Sequence, residues 1–141
     1  MTAAELAFYD TSILVYAHDS ADAKKRKLAQ TLILTGLRNG TGVISAQVLS
    51  EFYVTVTRKI AAPLPLDAAR QELLLLSRLR VVETDATLVI RATDIQAKWQ
   101  TSYWDALILA AAERARCATV WSEDLAHGQK YDTLRVLNPF A

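Results

Sequence analysis

Strand-sized apolar runs alternate with helix-length amphipathic stretches along this chain, and that alternation limits the class of fold open to it. Leu6–Tyr9, Gly42–Ser45, Val81-Val82, Ala118–Trp121 and Leu134–Leu137 are short and bounded, as buried strands are. Between them, Thr11–Ala17, Asp22–Asn39, Ala46–Ile60, Asp67 to about Leu79, Asp85–Trp99 and Ser102–Ala115 read as helices. In Ala46–Ile60, Val48, Phe52, Val56 and Ile60 recur every four residues, with Leu49 beside them. Asn39-Gly40 stops the second helix, and Pro63 and Pro65 break the chain before Asp67, the expected cap of the next one. Ser102–Ala115 is the most apolar helix, with Trp104, Leu107, Ile108, Ala111 and Ala115 expected to face inward. Strands alternating with helices predict an α/β fold around a parallel sheet covered on both faces. No repeat, low-complexity tract or linker divides the sequence, so one domain over 1–141 is expected.

Composition supports a packed core: 52% of residues are hydrophobic, with only 4 glycines and 3 prolines. The net charge of +1 neither demands nor excludes a polyanionic partner, so any nucleic-acid contact must come from a local patch. Cys117 is the only cysteine, which rules out an intramolecular disulfide and suits a reducing compartment. It reads as a small core hydrophobe at a helix–strand junction. The N-terminus lacks the basic and apolar regions of a signal peptide, and the longest apolar run, Ala106–Ala112, is too short to span a bilayer. A cytoplasmic protein with no membrane association is therefore expected.

Against this frame, four acids stand out by their placement: Asp10, Glu51, Asp105 and Asp124 each sit at the edge of an apolar segment. Each has an ordinary explanation taken singly. Asp10 precedes a short helix and suits an N-cap. Glu51 flanks an apolar helix stripe, where solvated glutamates are common. Asp105 follows Ser102 at capping-box spacing. Asp124, after Ser122-Glu123, falls at a turn, where Asp is favoured. Their common location is harder to dismiss. Asp10 and Asp124 follow the carboxyl ends of expected strands, the edge at which parallel α/β sheets bind ligands. Glu51 and Asp105 lie early in helices that can start at that same edge. Four converging carboxylates repel one another unless a cation joins them. An oxygen-only donor set selects a hard cation, Mg²⁺ or Mn²⁺, and no histidine or cysteine cluster has zinc spacing. A carboxylate-held metal in a wet cleft suits phosphodiester hydrolysis.

With these segments aligned, the chain resembles a PIN-domain ribonuclease of the VapC toxin type. The resemblance rests on Asp10-Thr11-Ser12-Ile13-Leu14-Val15-Tyr16-Ala17, Ser45 through Ser50-Glu51-Phe52, Tyr103-Trp104-Asp105-Ala106-Leu107-Ile108, Ser122-Glu123-Asp124-Leu125 and the closing Gly128 and Leu134–Phe140 stretch. It runs nearly end to end. It implies an α/β/α sandwich with a central parallel sheet, and endoribonuclease activity dependent on Mg²⁺ or Mn²⁺. It places the catalytic, metal-binding quartet at Asp10, Glu51, Asp105 and Asp124, with the small hydroxyls Thr11 and Ser122 beside the first and last acids. Glu123 is a second acid at the last position. The resemblance also implies a homodimer and a cognate VapB-type antitoxin, as in type II toxin–antitoxin pairs, with apolar surface in Asp22–Ile60 available to the antitoxin.

Lys24-Lys25-Arg26-Lys27, the densest basic run, reads as a solvated helix face, with phosphate steering as the alternative. Lys130, close after Asp124, is placed as a contact to RNA. His18 and His127 read as surface or hydrogen-bonding residues. Trp104 is assigned to the core, while Trp99 and Tyr103 are open between packing and base stacking. A non-catalytic RNA-binding scaffold is the main competing reading, and four mutually repelling acids argue against it. An aspartyl phosphotransfer site fits poorly: Ser12 stands where a phosphatase needs a second Asp, and the Gly42–Ser45 strand ends without a phospho-acceptor.

Overall fold

The computed structural model describes residues 4–141; the first three residues of the expected 1–141 domain lie outside the described residues. Its elements are β1 (Ala7–Tyr9), α1 (Thr11–Tyr16), α2 (Ala23–Asn39), β2 (Gly42–Ser45), α3 (Ala46–Arg58), α4 (Leu66–Leu76), β3 (Arg80–Val82), α5 (Ala86–Trp99), α6 (Tyr103–Arg114), β4 (Thr119–Trp121), β5 (Lys130–Tyr131) and β6 (Leu134–Leu137). The strands form one sheet in the order β3-β2-β1-β4-β6-β5. All neighbours are parallel except β5, which pairs antiparallel with β6.

This order has a functional consequence. The chain builds outward from β1 through β2 to β3, then returns to add β4 and β6 on the other side of β1. The winding reverses between β1 and β4, and a crevice opens there beyond the carboxyl ends of the strands. Tyr9 pairs with Trp121 at that end of the sheet, so the residues that follow each strand are brought together.

Local chemistry explains most element boundaries. Asp22, Ser45, Asp85 and Ser102 each accept a hydrogen bond from a backbone N–H in the first turn of the helix that follows. Gly40, at φ 66°, closes α2 in the left-handed conformation that glycine adopts without penalty. Val48, Phe52 and Val56 have no exposed surface, and Ile60 retains 7%, as the four-residue repeat predicts. Cys117 is buried in the core, and burial pushes its thiol up to about 12, so it packs as a hydrophobe.

Three expectations are corrected. The N-cap of α4 is Pro65, and Asp67 instead accepts a bond from Ala68 N inside the first turn. Proline has no N–H to lose and its extended ψ sets the chain up for the turn, so the helix starts one residue before the acid. The helix also stops at Leu76, short of the buried Leu79. Strand β5 gave no sequence signal, because two residues carry no periodicity; it forms by pairing with β6 across a turn at Asp132. Trp104 is not in the core: it is 63% exposed.

Close packing of α2 on the sheet depends on Gly36. A Cβ there would overlap the Tyr9 hydroxyl and come within 3.1 Å of Gly42 Cα. That hydroxyl donates to Leu32 O at 2.7 Å, so it has little room to move. Gly36→Ala is expected to destabilise the fold by about 1–3 kcal/mol through overpacking, despite the better helix propensity of alanine. A denaturant midpoint at or above that of wild type would refute this account of the α2–β1 contact.

Candidate active site

Asp10 is the most constrained acid. It follows β1 directly, and its N–H donates to Trp121 O at 3.0 Å, locking it to the end of β4. Its carboxylate accepts from Thr11 N at 2.7 Å and from Ser122 Oγ at 2.6 Å. The residue is only 8% exposed. Burial pushes its pKa up to about 6. The bonds from Ser122 and Thr11 oppose the rise, and the charges of Asp124 and Glu51 add to it. One oxygen therefore serves the helix and the other is held by Ser122, while the residue lines the cleft.

Ser122 is fully buried and acts as the bridge. Its hydroxyl donates to Asp10 and accepts from Asp124 N at 3.1 Å and Leu125 N at 3.2 Å. One side chain thus fixes both the first acid and the backbone carrying the fourth. Ser12 adds a second tie, its Oγ accepting from Glu123 N at 3.3 Å.

Glu51 lies on the second turn of α3 and Asp105 in the first turn of α6. Only half of the capping box is closed: Asp105 N donates to Ser102 Oγ at 3.1 Å, while the Asp105 side chain lines the cleft. The cleft encloses about 360 Å³ and includes Asp10, Glu51, Asp105, Glu123 and Asp124 among its lining residues. Glu51 keeps contact with solvent, yet loss of hydration in the cleft raises its pKa, with Asp105 and Asp124 adding to the rise and Gln47 and Thr11 opposing it. Asp124 is raised first by burial and then by Glu123 and Asp105. Asp10, Glu51 and Asp124 thus each sense at least one other acid of the cleft, as expected of carboxylates sharing a site.

The two neighbouring acids after β4 have different surroundings. Burial alone would raise Glu123, but its bonds to Lys25 and Tyr16 outweigh that and leave it below the ordinary carboxylate value. Lys25 Nζ pairs with Glu123 Oε1 and lies 4.7 Å from the centroid of the Tyr16 ring. Lys25 is thereby drawn out of the solvated helix face expected for the basic run and ties α2 to the β4 loop. Among the described residues, Asp124 has no such counter-ion.

The structure does not bring Lys130 to the cleft. Its register partner is Arg135, which pairs with Thr119, itself opposite Ala7. That row lies at the start of the strands, away from the edge that carries Asp10 and Ser122. A short distance in sequence did not translate into proximity because β5 doubles back. His18 contacts Leu14 O and Glu72, and His127 Nδ1 accepts from Asn138 N, so both serve as bonding residues away from the acids.

Sequence reasoning missed the polar row of α3. Gln47, Glu51, Thr55 and Lys59 recur every four residues and all line the cleft. The signal was present beside the apolar row of Val48, Phe52, Val56 and Ile60, one residue along. Thr11 and Gln47 flank the Glu51 carboxylate, and both hold its pKa below where loss of hydration alone would put it.

The acids lining the cleft offer oxygen donors, and the charges that act on Asp10 are those of Asp124 and Glu51. This chemistry fits a hard divalent cation. Among the described residues, no group of three or more His, Cys, Asp or Glu side chains is placed to hold a metal ion together. An open site in which one or two carboxylates bind directly and water completes the shell matches magnesium's habit.

A family model described as PIN domain matches residues 7–131. No curated protein matches the sequence. Among solved structures, the chain is similar to VapC20 of Mycobacterium tuberculosis, a toxin that cleaves the sarcin–ricin loop, with 21% identity and a TM-score of 0.66 over 84% of this chain and 89% of that one. It is similar to a toxin–antitoxin complex from Klebsiella pneumoniae, with 17% identity and a TM-score of 0.71 over 94% and 97%. It is also similar to VapBC2 from Rickettsia felis, solved with a DNA fragment from its promoter, with 18% identity and a TM-score of 0.66 over 93% and 96%. At these identities the likeness speaks for the fold, a mostly parallel sheet flanked by helices.

Proposed function

This chain belongs to the PIN-domain family, and from that premise we propose that it is a divalent-metal-dependent endoribonuclease, the toxin of a toxin–antitoxin pair. The observation that carries the reading is the convergence of Asp10, Glu51, Asp105 and Asp124 from four separate segments onto one cleft at the β1–β4 switch point. Asp10 and Asp105 would hold Mg²⁺ or Mn²⁺, with Glu51 and Asp124 binding directly or through water. Bound there, such an ion would supply activation of a water and neutralisation of charge on the phosphodiester. Ser122 holds the Asp10 carboxylate in place and keeps Asp124 beside it. Lys59, at the end of the polar row, is the basic side chain that lines the cleft and would meet the phosphate backbone.

The partner expected of such a toxin is an antitoxin, since the similar structures include toxin–antitoxin complexes. An apolar groove of about 850 Å³ between α3 and α4, with Leu49, Tyr53, Leu66 and Leu73 in its walls, has the chemistry to take an apolar peptide segment. The groove shares only α3 with the Asp22–Ile60 region expected from sequence. A homodimer is the proposed state of the free toxin. No described helix is long and apolar enough to cross a membrane.

The direct test incubates the purified protein with total RNA and Mg²⁺ or Mn²⁺, or with chelator. Cleavage only with metal is expected; absence of metal-dependent cleavage of any RNA would overturn the reading in favour of a binding scaffold. A sharper test compares the two neighbouring acids. Glu123, neutralised by Lys25, is assigned to the loop and Asp124 to the metal. Glu123→Gln should retain activity to within about threefold, while Asp124→Asn should lose about tenfold or more, the scale on which groups around a metal act. The reverse order would exchange their roles.

A further inference from the structure

Trp104 is the only aromatic among the exposed large hydrophobic side chains of the described residues. The helix behind it is buried almost continuously from Ala106 to Ala112, so its exposure is a local feature of the first turn. Its position is held from two sides. Tyr103 meets its ring edge-to-face at 5.1 Å and 75°, and Gln47 Nε2 donates to its backbone carbonyl at 3.3 Å. Tyr103 is thus occupied in supporting it, and Trp99 packs on Tyr131. The indole immediately precedes Asp105 and lines the acidic cleft. It also lines an adjoining hollow of about 530 Å³, whose walls include Ala46, Gln47, Ser50, Glu51, Thr84 and Leu107. Gln47 and Glu51 belong to both spaces.

We propose that Trp104 is a stacking platform for an unpaired nucleobase next to the scissile phosphate, and that the adjoining hollow is the subsite receiving that base. The inference rests on the nuclease reading of the cleft. A nucleobase fits the two kinds of wall. Its faces stack on the indole and its edge carries N–H donors for the Glu51 carboxylate. An apolar protein face covering Trp104 would also remove Glu51 from water without giving its carboxylate a donor, which is costly. The hollow shares Gln47, Glu51 and Trp104 with the acid-lined cleft, so a base held there would leave its phosphate beside the carboxylates. Stacking accepts any base, so this subsite favours single-stranded RNA over duplex while discriminating little by sequence.

The test measures equilibrium binding of a short oligoadenylate, an oligouridylate and a matched abasic ribose-phosphate oligomer, with Mg²⁺ present and in an Asp105→Asn background that prevents turnover. Trp104→Ala should weaken both base-bearing oligomers about tenfold, the scale of one stacked base. Trp104→Phe should stay within about threefold of the parent, and the abasic oligomer should bind Trp104→Ala and the parent alike. Equal weakening on the abasic oligomer, or no weakening on any, overturns the platform. So does a change of oligomeric state in sedimentation of Trp104→Ala, which would assign the indole to a contact between copies. Failure of this inference is distinct from failure of the nuclease reading: in the first case wild type still cleaves RNA with metal, and in the second it does not.

Discussion

Asp105→Asn should reduce metal-dependent RNA cleavage at least about 100-fold while leaving the fold intact, because groups merely surrounding a metal site already act on a 10–100-fold scale. The side chain is well suited to isolate chemistry from stability. The helix is capped by Ser102 through Asp105 N, a backbone bond that asparagine keeps. The remainder of α6 is anchored by its buried apolar residues and not by the acid. The measurement pairs cleavage of total RNA with a thermal midpoint. If activity survives while cleavage remains metal-dependent, Asp105 is not a ligand; if activity and the midpoint fall together, its role is structural. In cells, arrested growth on expression of wild type and relief by Asp105→Asn would connect the chemistry to toxicity.

Asp10 should impose a distinctive pH dependence on stability when no divalent ion is supplied. Its folded pKa of about 6 lies above the ordinary value of 3.8. Between those values the folded protein holds a proton that the unfolded chain has released, so stability falls as pH rises through the window and levels off above it. The amplitude is about 3 kcal/mol, from roughly two pKa units at about 1.4 kcal/mol each. Glu51 and Asp124 are raised as well and contribute in the same direction. Asp85, held low by its bonds from Arg114, contributes in the opposite one. The decisive quantity is therefore the difference between the wild-type and Asp10→Asn stability curves, because asparagine has no proton to lose. Unfolding free energies in chelator from about pH 4 to about pH 6 should converge at the acid end for this term and separate above it. Parallel curves would mean that Asp10 titrates normally. Added Mg²⁺ should recover stability in wild type at neutral pH and much less in Asp10→Asn, since a cation bound to the ionised carboxylate favours the folded state.

How far the sequence could be read depended on the range of the forces involved. Helix caps and the stripe of Val48, Phe52 and Val56 involve neighbours within a turn, and the sequence reports them directly. The parallel sheet followed from alternation, and the acids from their positions at segment edges. Trp104 was misplaced because helical spacing alone puts it on the same side as Leu107 and Ile108, whereas the structure leaves it at the rim of the cleft with Asp105. Lys130 was misplaced because a two-residue strand turns the chain back. The pairing of Lys25 with Glu123 joins residues 98 positions apart, beyond any periodic signal.

The sequence by itself determined the fold class, most element boundaries and four acids suited to one edge, because periodicity, capping and oxygen-donor chemistry are written in local residue types. Only the tertiary structure separated Asp124 from Glu123, buried Asp10 under the hydroxyl of Ser122, aligned Gln47, Glu51, Thr55 and Lys59 along the cleft and left Trp104 at its rim. Those outcomes depend on hydration lost and counter-ions gained across the β1–β4 crevice, and such quantities exist only once distant segments have met.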